Sequence, residues 1–136
     1  MYRCTIRFME IIIDASCIVA VLLEEAGCDE VRKAMRGKRL VSPACLPYEI
    51  GNSLTASVKK HRISADIVAE IYKEFEKIPV RLVEPDIEKA TALAASENHY
   101  AYDAYYITCA LDLGLPLFSL DSGLIEIAKK RGVKCL

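Results

Sequence analysis

Asp14, Glu49, Asp103 and Asp121 are the residues of this sequence whose types and positions could do chemistry together. Asp14 closes the run MEIIIDAS (9–16), in which β-branched apolar residues that read as a buried strand end on a carboxylate. A charge at the margin of a core is costly unless something pairs with it. Asp121 ends LFSLD in the same way. Asp103 begins an apolar, tyrosine-rich helix, AYDAYYITCAL, and Glu49 sits in the first turn of another, with Asn52 at i+3 on the same face. Each acid also has a local explanation. Aspartate at a strand-to-helix junction is a favoured N-cap, worth roughly 0.5–2 kcal/mol, and the helix dipole favours an acid in the first turn. Those explanations treat the residues singly and do not ask them to meet. If they do meet, mutual repulsion raises their pKa values unless a cation compensates. Mg²⁺ or Mn²⁺, hard ions that prefer oxygen ligands, are the natural compensators.

The elements that must position these acids follow from periodicity. EIIID (10–14) reads as a strand and SCIVAVLLEEAG (16–27) as a helix, started near Ser16 and stopped at Gly27. DEVRKAMRG (29–37) reads as an exposed helix and KRLVS (38–42) as a short strand. Residues 46–62 form a helix with Pro47 in its first turn and Ile50, Leu54 and Val58 on one face. Ser64 is expected to cap a helix over 65–78, followed by the strand VRLVE (80–84) and a helix from Pro85 to residue 98. A helix over 101–114 closes at Gly114; then come the strand LFSL (117–120), a helix over 121–132 and a last strand, VKCL (133–136). Strands alternating with helices predict an α/β fold of three layers, a central parallel sheet flanked by helices on both faces. Ligands bind such sheets at the carboxyl ends of the strands. Asp14 and Asp121 stand on that rim, and the helix starts carrying Glu49 and Asp103 point toward it. No repeat, low-complexity tract or linker divides the chain, so a single domain over 1–136 is expected, with residues 1–8 as an extension ahead of Met9.

Composition narrows the function classes. At 53% hydrophobic residues a disordered chain is excluded. The apolar run CIVAVLL is far short of the roughly 20 residues of a membrane span. It leads into two glutamates rather than a small-residue cleavage site, so a soluble cytoplasmic protein is expected. The six cysteines are scattered, with no C-x-x-C pair; Cys17 and Cys109 fall on apolar helix faces, which favours buried reduced thiols over zinc or disulfides. The net charge of −1 is awkward for a nucleic-acid binder, which is usually basic. A bound divalent metal would resolve that.

The pieces IIIDAS (11–16), PYEIGNS (47–53), YDAYYITCALDLGLPLFSLD (102–121) and SGLIEIAKKRGVKCL (122–136), taken in order, resemble the PIN domain family, most closely its small VapC-like toxin members. The resemblance covers nearly the whole chain from Met9. It implies a metal-dependent ribonuclease with Asp14, Glu49, Asp103 and Asp121 as catalytic and metal-binding acids and Mg²⁺ or Mn²⁺ as cofactor. Ser16 and Ser119 match the family's hydroxyl positions beside the first and last acids, and Asn52 a polar position near Glu49. Ser119 stands where threonine is more usual, and residues 1–8 lie outside the motif. The resemblance further implies an RNA substrate cut to a 5′-phosphate and a 3′-hydroxyl and an antitoxin protein as partner; the high apolar fraction with tyrosine- and leucine-bearing helices suggests a homodimer, as is usual in the family, with apolar residues of the helices spanning 46–78 at its interface.

Other readings meet the sequence less well. A phosphatase with an aspartyl nucleophile needs a second aspartate two residues on, where Ser16 stands. A receiver domain needs an acidic pair after its first strand, but residue 13 is isoleucine. A housekeeping RNA-processing nuclease and a catalytically silent PIN scaffold stay open, although all four acids are present. Three basic clusters could meet RNA: Lys59, Lys60 and Arg62; Lys129, Lys130 and Arg131; and Arg32, Lys33, Arg36, Lys38 and Arg39. Each could equally be a solvated surface with cations near helix ends. His61 and His99 read as surface residues, and Tyr102, Tyr105 and Tyr106 as core or dimer packing.

Overall fold

The computed structural model describes residues 8–136, so the expected extension lies, apart from Phe8, outside the described residues. Four parallel strands, β1 (Met9–Ile13), β2 (Lys38–Pro43), β3 (Val80–Val83) and β4 (Leu117–Phe118), form a sheet in the order β3-β2-β1-β4. β1 is central, pairing Ile11 with Leu40 on one side and Ile12 with Leu117 on the other. Seven helices surround it: α1 (Ala15–Leu22), α2 (Cys28–Met35), α3 (Leu46–Lys59), α4 (Val68–Glu76), α5 (Ile87–Ser96), α6 (Ala101–Leu113) and α7 (Ser122–Lys130).

Successive residues of a strand face opposite sides of a sheet, and β1 uses this to build two cores. Ile11 and Ile13 pack with Cys17 and Ile18 of α1, Val31 of α2, Ile50 and Leu54 of α3 and Phe75 of α4. Ile12 points the other way, onto Tyr106, Ile107 and Ala110 of α6 and Leu124 and Ala128 of α7. α5 joins the second layer through Ala90 and Ala94, which pack against Ala104. The three-layer parallel α/β fold expected from the sequence is the one observed. Ile12 is fully buried, and Ile12→Ala is expected to cost about 2–5 kcal/mol of stability. Urea denaturation would measure it.

Three local expectations are corrected. α1 ends at Leu22, not near Gly27, because Glu24 takes a left-handed φ of 51° and the chain turns; two glutamates at a helix C-terminus also oppose the dipole. Its N-cap is Asp14, the local role that the sequence offers for this aspartate. Ser64 makes no cap bond to the backbone; it precedes a short 3-10 turn (Ala65–Ile67), and its hydroxyl turns to Asp66. Residues 133–136 contribute one bridge, Leu117 to Cys135, because β4 is only two residues long and offers little edge to pair with. The five described cysteines are free, with Cys17 and Cys109 buried as expected. No described helix is long and apolar enough to cross a membrane.

Candidate active site

Asp14 stands at the carboxyl end of β1, where the strand's apolar run stops and α1 needs a cap. Its Oδ1 accepts from the Cys17 amide (3.2 Å) and the Ser16 hydroxyl (2.7 Å), and its Oδ2 accepts from the Ser119 hydroxyl (2.6 Å). β4 lies beside β1, so Ser119 arrives at Asp14 directly from the end of the neighbouring strand. Both serines are tied in turn to the segment leading into α7. The Leu120 amide donates to Ser16 Oγ (3.2 Å) and the Asp121 amide to Ser119 Oγ (2.9 Å). Asp14 is 5% exposed. Burial raises its pKa above the ordinary carboxylate range, and the two hydroxyls and the cap amide pull against that.

Asp121 caps α7, its Oδ1 accepting from the amides of Gly123 (2.9 Å) and Leu124 (3.2 Å). Glu49 lies in the first turn of α3. Its Oε2 accepts from the Tyr106 hydroxyl of α6 (2.5 Å) and from the Cys45 thiol (3.4 Å). Burial raises the pKa of Glu49, the two donors lower it, and repulsion from Asp14 and Asp103 raises it again. Burial and then the neighbouring carboxylate push the Cys45 thiol up to about 12, so it stays a protonated donor. Asp103, in the first turn of α6, has its Oδ2 3.3 Å from His99 Nδ1. Burial raises its pKa first, then repulsion from Asp121; His99 opposes this and Asp14 adds to it.

The four acids therefore act on one another, as the rim geometry anticipates: Asp14 and Asp103 repel Glu49, and Asp121 and Asp14 repel Asp103. Among the described residues, no three His, Cys, Asp or Glu side chains already stand in ion-binding geometry. The donor set nevertheless suits a hard divalent ion. It is made of carboxylate oxygens, and Asp121 Oδ2, Glu49 Oε1 and Asp103 Oδ1 accept no hydrogen bond from the described residues. Asn52 joins Glu49 in lining a cavity of about 430 Å³.

Three contacts escape the sequence reading. Tyr106, read as packing, is 2% exposed yet gives its hydroxyl to Glu49; a buried tyrosine usually needs a polar partner, and that is the signal that could have found it. Cys45 reaches the same carboxylate. His99, read as a surface residue, leans on Asp103 from just outside α6; their i,i+4 spacing is a signal that could have found the pair. Of the basic clusters, Lys130 and Arg131 are taken by Glu97, at 2.8 and 2.7 Å.

With this geometry in view, known proteins align closely. The PIN domain family model matches residues 11–130. Ribonuclease VapC3 of Pyrobaculum aerophilum is 26% identical over 123 residues, spanning 87% of this chain and 94% of that protein. Ribonuclease VapC12 of Mycobacterium tuberculosis is 27% identical over 118 residues, spanning 85% and 90%. The crystal structure of PAE2754 from Pyrobaculum aerophilum superposes with a TM-score of 0.68 at 27% identity, over 88% of this chain and 84% of that one. A parallel sheet with Asp14 at the end of its central strand β1 and Asp121 just past the neighbouring β4, matched along nearly its full length by such relatives, identifies the chain as a VapC-like member of the PIN domain family.

Proposed function

We propose that this protein is a Mg²⁺- or Mn²⁺-dependent endoribonuclease and the toxin of a toxin–antitoxin pair. The observation that carries the reading is the placement of the four carboxylates, Asp14 closing β1 and capping α1, Asp121 capping α7, and Glu49 and Asp103 in the first turns of α3 and α6, with His99 the only cation-forming side chain among the described residues in ion-pair contact with any of them. The names of the ribonuclease relatives support RNA as substrate and a toxin role. Asp14, Asp103 and Asp121 would hold the ion, directly or through water, with Glu49 positioning a second ion or the attacking water. A divalent ion bound there supplies a more acidic water and neutralises phosphate charge. That also reconciles an acidic site, in a chain of net charge −1, with an anionic substrate.

The chain's own residues do the positioning. Ser16 and Ser119 fix both oxygens of Asp14, and Tyr106 and Cys45 fix one oxygen of Glu49, leaving the other without a hydrogen bond from the described residues. Asn52 offers an amide one turn along α3. The products would be a 5′-phosphate and a 3′-hydroxyl. An antitoxin partner, a homodimer built on the helices spanning 46–78, and work in the cytoplasm, where free thiols persist, complete the proposal. Light scattering that returned a monomer's mass would remove the dimer.

Incubation of mixed RNA with Mg²⁺, with Mn²⁺ and with EDTA tests the activity. Cleavage that requires a metal and yields 5′-phosphates supports it; equal cleavage in EDTA sinks it. Tyr106→Phe should lower the metal-dependent rate by roughly 10- to 100-fold, as the loss of a partner that orients a metal-site carboxylate does. Its kinetics against wild type would show whether Tyr106 orients Glu49 or merely packs, since packing alone survives the loss of a hydroxyl.

A further inference from the structure

Three of the four rim acids have a carboxylate oxygen held by hydroxyl, thiol or backbone donors. Asp14 accepts from Ser16, Ser119 and the Cys17 amide, Glu49 from Tyr106 and Cys45, and Asp121 from the amides of Gly123 and Leu124. Asp103 has no such donor among the described residues. It stands at the third position of α6, where an acid can reach back to the N-cap amide. Its one described polar contact is instead with His99, whose Nδ1 lies 3.3 Å from Oδ2. The cap itself, Tyr100, offers no side-chain bond to the helix.

His99 reaches Asp103 because of how α5 ends. Asn98 takes a left-handed φ of 52°, which asparagine tolerates better than most residues. The Asn98 amide donates to the Ala95 carbonyl (3.3 Å) and the His99 amide to the Ala94 carbonyl (2.9 Å), the two bonds of a Schellman turn. The residue in the place of His99 frequently lays an apolar side chain back on the helix it has just left. Here it is an imidazole, turned forward onto the next helix. The turn is also pinned from outside. Glu97 accepts from Lys130 Nζ and Arg131 Nε, both at 2.8 Å, and Arg131 donates to Ser96 Oγ at 2.7 Å. Those two cations stand at the C-terminal end of α7, whose first turn Asp121 caps. One helix thus ties Asp121 to the turn that carries His99.

We propose that His99 is a positioning residue of the metal site, its Nδ1–H facing Oδ2 of Asp103 so that Oδ1 stays available to the ion. This role rests on the metal-dependent ribonuclease reading and supplies the support that Asp103 otherwise lacks. An unsupported aspartate must surrender side-chain freedom when it binds an ion, and a partner that fixes it beforehand removes that cost. The imidazole acts here as a donor, a part that a side-chain amide at the same place could play. A partly exposed pair of this kind contributes little to stability, so folding should be indifferent to His99 while metal binding is not.

The test is titration of the metal-free protein with Mn²⁺, followed by the electron paramagnetic resonance signal of the free ion. His99→Ala should weaken Mn²⁺ binding by roughly 10- to 100-fold while unfolding, free of metal, at the wild-type temperature. His99→Asn, whose amide N–H comes close to the place of Nδ1–H, should keep most of the wild-type affinity. Equal affinity in wild type and His99→Ala would overturn the role and leave the ribonuclease reading standing. An equal loss in both variants would overturn it too, since a donor at the right place would then rescue nothing. A wild type that binds no Mn²⁺ would remove the metal site itself, and the role of His99 with it.

Discussion

Replacing Asp103 by asparagine is expected to lower metal-dependent RNA cleavage by about 100-fold or more. Losing a partner that merely supports a metal ligand costs roughly 10- to 100-fold, and a ligand itself should lie at or beyond the upper end. Asparagine keeps the shape and removes the charge. Asp103 is the cleanest of the four positions for this experiment. Asp14 also caps α1 and accepts from Ser16 and Ser119, and Asp121 caps α7, so substitution there confounds chemistry with folding. The one described polar contact at risk at Asp103 is with His99. Its charge, by contrast, is penalised by burial and by Asp121 and Asp14. The variant should therefore unfold, free of metal, at or above the wild-type temperature while losing activity. Single-turnover cleavage and thermal unfolding of the same preparation would check both halves. A variant that cuts as fast as wild type would dissolve the acidic site as proposed.

The second large effect is on stability. Asp14, Glu49 and Asp103 all have folded pKa values above their ordinary range, chiefly through burial. Without metal, the folded state then holds protons that the unfolded state has already released. Stability must fall as pH rises from the ordinary carboxylate pKa of about 4 through the raised folded values. A divalent ion reverses the penalty by binding the charged forms. At 100 times its Kd the gain is about 2.7 kcal/mol, or about 10 °C in Tm for a domain of this size. Thermal unfolding in EDTA, Mg²⁺ and Mn²⁺ at pH 5 and at pH 8 would show it, with the larger metal shift at pH 8. Asp103→Asn should lose much of that shift. If neither ion moves Tm at either pH, the carboxylates do not form a metal site.

What local pattern could determine, it determined. The alternation of strand and helix periods specified parallel α/β architecture, because each period is set by the backbone geometry of its own segment. The acids at strand ends and first helical turns were visible for the same reason: a junction is a local feature, and the rim follows from the parallel arrangement. The end of α1 and the fate of residues 133–136 were less legible, since a left-handed Glu24 and a two-residue β4 depend on how neighbouring elements dock. Only the tertiary structure decided which side chains hold the acids. Ser119 meets Asp14 across 105 positions, and Tyr106 meets Glu49 across 57, because β4 returns beside β1 and α6 lies against the opposite face from α1. It likewise decided that Lys130 and Arg131 are neutralised by Glu97 while Lys60 and Arg62 line a cavity with no ion pair among the described residues. In sequence these clusters look alike; charge pairing between elements distinguishes them, and that requires the elements to be brought together.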